Sequence, residues 1–182
     1  MKRYVIEESP FSYFFTADSR SAPIWLVARM YIGWIWLSAG WSKLNNEAWV
    51  GADAGQSLTG FIQGAIAKTA GAHPAVQGWY ADFLESVVLP NVVFWSHVVA
   101  WGELMVGVAL IAGFLVGISA FFGIFMNLNF MLAGTVALNP IMYTLGIGLI
   151  LAWRVAGYWG LDRFALPLLS TYVRPRIRLE NP

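Results

Sequence analysis

The chain of 182 residues contains no cysteine. That excludes disulfides, thiolate metal sites, iron–sulfur clusters and any cysteine redox couple within it. Charge is scarce too. Only 12% of residues are Asp, Glu, Lys or Arg, against about 25% in a soluble domain. The 11 Lys and Arg nearly cancel the 10 Asp and Glu, leaving a formal net charge of +1, so a strongly basic nucleic-acid binder is excluded. There are two histidines, His73 and His97, too few for a histidine metal site or a two-histidine haem. No phosphate loop, dinucleotide fingerprint or serine nucleophile elbow is present. What is abundant is apolar and aromatic: 58% hydrophobic residues, with 10 Trp, 12 Phe and 7 Tyr, and a mean hydropathy of +0.61. Such a chain is too apolar for disorder. Its length suits one domain, residues 1–182, and its aromatic load suits membrane interfaces.

Four apolar stretches are long enough to read as membrane helices. They cover about residues 24–43, 92–114, 115–138 and 141–160. The second and third are separated by a turn at Gly113–Gly117, where glycine permits the backbone to reverse. Asn139-Pro140 marks the boundary between the third and fourth. The first 20 residues hold Glu7, Glu8, Asp18 and Arg20 and no apolar core, so no cleavable signal is expected. Lys2, Arg3 and Arg20 precede the first span, and Arg163, Arg174, Arg176 and Arg178 follow the fourth. The positive-inside rule then puts both termini in the cytoplasm and the protein in the plasma (inner) membrane as a multi-pass chain. The long connection, residues 45–91, lies outside. Leu58, Phe61, Ile62, Ala65 and Ile66 fall at helical spacing there, as do Val76, Trp79, Tyr80, Phe83, Leu84, Val87 and Val88. Two amphipathic helices, broken around Gly71-Ala72-His73-Pro74, are expected. The expected fold is all-α: an integral membrane four-helix bundle with an extracytoplasmic amphipathic helical segment between spans 1 and 2.

Ionisable groups inside apolar helices are costly and face the interior or a cavity. Arg29, His97, Glu103 and Arg154 are such groups, joined by Asn127 and Asn129. Helical periodicity puts Arg29, Gly33, Trp36, Gly40 and Lys43 on one face of the first span. It puts Ala100, Glu103 and Gly107 together on the second, and Ala120, Gly123, Asn127, Met131 and Gly134 on the third. Small residues on these faces mark close helix contacts. Glu103 is expected to pair with Arg29 or Arg154, or to hydrogen-bond to Asn127. Its alternative role is a structural ion pair or a protonated acid between helices. Arg29 and Arg154 have the alternative of snorkelling to headgroups. His97 has that of a hydrogen bond between helices. Asn129 points away from Asn127, toward another interface. A polar pocket in an apolar bundle suits a quinone, whose reduction needs protons.

The chain resembles the DoxX/DoxD-like family of small four-helix membrane proteins. The resemblance is carried by Arg29 with Gly33, by Gly40-Trp41-Ser42-Lys43-Leu44, and by Gly55-Gln56-Ser57-Leu58-Thr59-Gly60-Phe61. It continues through Trp79-Tyr80-Ala81-Asp82-Phe83-Leu84, residues 99–107 (VAWGELMVG), residues 126–134 (MNLNFMLAG) and residues 156–163 (AGYWGLDR). The resemblance implies a link to respiratory sulfur metabolism. The DoxD-type subunit is associated with thiosulfate:quinone oxidoreductase, which oxidises thiosulfate to tetrathionate and works with a smaller subunit, DoxA. No DoxA-like stretch follows the fourth span, so a separate partner is expected: DoxA-like, or a subunit of a respiratory or photosynthetic complex.

The leading expectation is a quinone-interacting membrane oxidoreductase subunit. Quinone would be its bound acceptor or substrate, with no metal. Glu103 and His97 would be its catalytic groups. Arg29, Lys43, Asn127, Trp101 and Arg154 would contact substrate. The alternative is a non-catalytic accessory membrane subunit of a larger electron-transfer complex, in which Glu103 and Arg29 only hold helices together.

Overall fold

The structure is a computed structural model and describes residues 9–173. Its regular elements among the described residues are all helices, without a strand. Lys2, Arg3, Arg174, Arg176 and Arg178, which carry most of the charge bias at the termini, lie outside them.

A short helix opens the chain. Helix α1 (Pro10–Ala17) starts with Ser9 as its N-cap, accepting the Ser12 N–H, and with proline in the first turn. Helix α2 (Ala22–Leu44) buries Ala22, Arg29, Ile32, Gly33, Trp36 and Gly40 on one face. Trp25 of α2 donates its indole N–H to the Phe15 carbonyl and so ties the two helices together. Val27, Tyr31, Trp34 and Trp41 stand exposed on the other face of α2. An apolar face turned outward is what a hydrocarbon surrounding requires.

The 45–91 connection contains the short helix α3 (Glu47–Val50), then α4 (Gln56–Ala67) and α5 (Gly78–Phe83). As the periodicity predicts, Leu58, Ile62 and Ala65 of α4 pack against Val76, Tyr80, Leu84 and Val88. Burial of a side chain like Ile62 removes enough apolar surface to stabilise the layer by about 1.5–3 kcal/mol. Helix α5 does not end before the next element. It runs through a π turn (Leu84–Val88) and a 3-10 turn (Leu89–Asn91) into helix α6 (Val92–Ala112). Pro90 has no N–H to continue an α ladder, so the chain crosses this point with altered helical hydrogen bonding instead of stopping. The resulting run, Gly78–Ala112, is 35 residues long and contains an 18-residue stretch with a mean hydropathy of 1.5. It is the one helix among the described residues that is long and apolar enough to cross a membrane on that measure.

The turn after α6 falls at the expected place. Gly113 takes φ 68° and Leu115 φ 47°, and helix α7 (Val116–Leu132) begins at once. Helix α7 stops short of residue 138 because Gly134 adopts φ 74°, and the Lys68 ammonium donates to the Gly134 carbonyl. Helix α8 (Asn139–Leu151) starts at Asn139-Pro140 as expected but has only 13 residues. At ~1.5 Å per residue it is about 20 Å long, short of the ~30 Å of hydrocarbon. The expected continuous helix to residue 160 is broken at Ala152. A single turn, α9 (Trp153–Ala156), comes next, and then the start of helix α10 (Asp162–Val173). The carbonyls of Ala156 and Trp159, which a longer helix would use internally, instead accept from Arg29.

Four helices share one core: Ile32 and Trp36 of α2, Val106 and Leu110 of α6, Val116 and Ala120 of α7, and Met142 and Leu149 of α8. The α2–α6 contact is the closest. Gly40 lies against the backbone of Glu103–Leu104, and Gly107 lies against the backbone of Leu37, so neither position has room for a Cβ.

Candidate functional site

Polar groups inside the helices form three separate clusters rather than one centre. At the start of α2, Arg29 is 1% exposed. Its Nη1 donates to the Ala156 carbonyl at 3.3 Å and Nη2 to the Trp159 carbonyl at 3.0 Å. Gly113 and Gly160 close over the guanidinium, with no room there for a side chain. Nearby, the 2%-exposed Asp162 accepts the N–H of Leu115 at 2.5 Å and of Val116 at 2.9 Å. A carboxylate on these two free N–H groups caps α7 and meets the positive end of its dipole. The N–H groups of Leu161 and Asp162 in turn donate to the carbonyls of Ala112 and Gly113. Arg29 and Asp162 thereby lock the 112–116 turn to the 156–162 turn. Arg29 does not snorkel.

At the other end of α2, Lys43 Nζ meets Glu103 Oε2 at 2.6 Å. Glu103 is buried, while the Lys43 side chain remains one-fifth exposed and lies 5.0 Å above the Trp49 ring. The expectation that Glu103 pairs with Arg29 or Arg154, or bonds to Asn127, is therefore corrected. Arg29 and Lys43 sit about 21 Å apart along α2 at ~1.5 Å per residue, and Glu103 belongs to the Lys43 end. Arg154 is exposed and lies over the Trp153 ring at 5.6 Å, away from any polar centre. His97 Nδ1 bonds to the Val93 carbonyl of its own helix at 2.8 Å. Trp101 is 52% exposed on the outer surface, although next but one to Glu103 in sequence. Asn127 is 1% exposed and makes no hydrogen bond within the protein, so it does not orient Glu103.

The third cluster borders a cavity of about 320 Å³. Helices α4 and α5 form one wall, with Leu58, Phe61, Tyr80 and Leu84, and α6 and α7 form the other, with Trp95, Val99, Met126 and Phe130. The wall is almost wholly apolar. Its polar exceptions are Asn129 and Tyr80, whose hydroxyl lies 3.0 Å from the Asn129 carbonyl and 3.2 Å from Asn129 Oδ1. One hydroxyl proton serves one of these acceptors at a time. Phe83, Val98, Phe122 and Phe125 line the cavity and are also exposed on the outer apolar surface. The cavity thus has a lateral mouth on this outer apolar surface. Asn129 does point to an interface of its own, but sequence reasoning misses Tyr80 and the cavity as a site. The signal that could find them is the aromatic run Trp79-Tyr80 followed by Phe83, on a helix facing Asn129.

The DoxX family profile matches residues 24–136, which is more than half of the chain. The chain belongs to the DoxX family. No curated protein and no solved structure matches it. DoxX proteins are membrane-associated, which fits the apolar outer faces of α2, α6 and α7. The matched segment contains the Lys43–Glu103 pair, Asn127 and the whole cavity wall. Asp162 lies beyond it.

Proposed function

We propose that this DoxX protein is a quinone-interacting subunit of a plasma-membrane oxidoreductase. In this reading α2, α6, α7 and the broken α8–α9 segment supply four spans, with both termini in the cytoplasm and α4 and α5 on the outer side. The observation that carries the proposal is the cavity between α4–α5 and α6–α7. Its volume of about 320 Å³ is within the range of small-molecule sites, about 300–1,000 Å³. Its aromatic walls suit a flat ring, and its lateral mouth suits a ligand that arrives from lipid with an isoprenoid tail. The Tyr80 hydroxyl is the donor positioned to hold a ring carbonyl, exchanging its bond to Asn129 for one to the ligand. Quinone, when bound, supplies two-electron acceptor chemistry. Trp95, Phe122 and Phe125 would pack the ring and exclude water. Lys43 and Glu103 do not line the cavity and would hold charge for proton movement toward the outer surface.

Thiosulfate oxidation to tetrathionate, as in a DoxD-type subunit, is the narrower reading. It would use the part-exposed Lys43 to attract the dianion. A second reading has its own support. Among the groups lining the cavity only Tyr80 is titratable, and Lys43 and Glu103 already satisfy each other. A chain that holds a quinone or lipid tail for a neighbouring redox subunit needs no more than this.

The test is purification in mild detergent, extraction of bound quinone and assay of thiosulfate-dependent quinone reduction. Val99→Trp and Met126→Trp, which fill the cavity, should each lower retained quinone by about tenfold or more, equivalent to ~1.4 kcal/mol. Unchanged quinone retention in both folded variants would remove the quinone reading. Quinone retention without turnover, with co-purifying redox subunits, would favour the accessory reading.

A further inference from the structure

A second, much smaller cavity of about 10 Å³ lies at the centre of the four-helix core, lined by Trp36, Leu110, Gly123, Asn127, Met142 and Leu149 among others. It is too small for any organic ligand. Asn127 is 1% exposed, and both its Oδ1 and its Nδ2 lack a hydrogen-bond partner in the protein. Trp36, 4% exposed, brings its indole Nε1 to the same place. That atom would be 3.2 Å from a Cβ on Gly123, one turn before Asn127 on α7. The amide can give two hydrogens and accept two, and the indole can give one. Leaving such groups unpaired in an apolar core is strongly unfavourable. A space of about 10–15 Å³ accommodates a single water molecule if two to four polar groups surround it. Asn127 and Trp36 are the residues with side-chain N–H or C=O groups that line this one.

We propose that Asn127 and Trp36 hold one ordered water molecule between α2, α7 and α8. The water accepts from the indole or the amide N–H and donates to Asn127 Oδ1. This assigns Asn127 a task independent of Glu103 and of the quinone cavity. The four helices then meet on a hydrogen-bonded centre rather than a dry one.

X-ray radiolysis of the full protein in detergent, read by mass spectrometry, tests this. A bound water split in place yields a hydroxyl radical beside Met142, which is 5% exposed, while Trp79, 62% exposed on the outer helix α5, reports bulk water. Side-chain oxidation otherwise follows exposure. Met142 in the wild type should therefore be oxidised at a rate within about tenfold of Trp79, despite its burial. Asn127→Leu should lower the Met142 rate by about tenfold or more and leave Trp79 unchanged. Should Asn127→Leu not insert, Gly123→Ala, whose Cβ enters the same space, serves in its place. Unoxidised Met142 beside oxidised Trp79 in the wild type would overturn the proposal. So would a Met142 rate that the substitutions leave unchanged.

Discussion

The two ends of α2 handle polarity in opposite ways. At the Arg29 end a buried cation, a buried carboxylate, two glycines and four backbone groups close on one another, with no space left. At the Lys43 end one ion pair is turned partly toward solvent, and beside it a large apolar cavity is left between α4–α5 and α6–α7. The first arrangement can only hold the chain in place. The second holds it and leaves room for a guest. Burial of charge therefore marks architecture in this molecule, and function is better sought where charge is nearly missing.

The largest expected effect breaks the locked end. Arg29→Met leaves the Ala156 and Trp159 carbonyls and Asp162 without their cation. It should cost about 3–5 kcal/mol, seen as loss of folded protein in detergent unfolding curves. Quinone retained per folded molecule should not change. At the other end, Lys43→Met strands Glu103 as an unpaired buried carboxylate and should cost about 3 kcal/mol. The double variant Lys43→Met/Glu103→Met should recover most of that loss in the same assay, because an apolar pair replaces the ion pair. If the double variant is as unstable as Lys43→Met, the pair is not the whole account of that end.

A smaller effect sharpens the reading of the lock. Asp162→Asn keeps the shape but weakens the cap on α7, at about 1 kcal/mol, measured as a lower unfolding midpoint. The smallest effect is at the α1–α2 junction, where the Arg20 side chain holds the Asp18 carboxyl below its ordinary range. A depressed folded value means that Asp18 contributes above the usual carboxylate range and that the contribution is lost as pH falls through the depressed value. Amide exchange at residues 18–21, corrected for intrinsic rates, should rise only in acid. The Asp18→Ala protein should show no such pH step.

Much of the helical layout was legible in the sequence. The faces carrying Arg29, Trp36 and Gly40, or Ala100, Glu103 and Gly107, are the faces that pack, since helical period and small residues determine them locally. The turn at Gly113 and the start of α8 at Asn139-Pro140 were equally local. The pairing of charges was not. Arg29 and Asp162 are brought together by two turns far apart in the chain, and Glu103 finds Lys43 because α2 and α6 are antiparallel and in close register. Periodicity fixes a face but not the height at which a neighbour's charge arrives. The early stop of α8 was hidden for the same reason: its apolar sequence continues past Ala152, and the Arg29 bonds to the 156 and 159 carbonyls beyond the break come from far away in the chain. The cavity was hidden because it is made of what fails to touch, between two layers whose separate patterns each look complete.

The most direct test of the central claim is photo-crosslinking with an azido-quinone in native membranes, with peptide mapping of the adducts. The account predicts adducts on the cavity wall, at Tyr80–Leu84, Trp95–Val99 and Phe122–Phe130, competed away by unlabelled quinone and lost in Val99→Trp. Adducts confined to the surroundings of Glu103 and Lys43, or none that unlabelled quinone displaces, would contradict it.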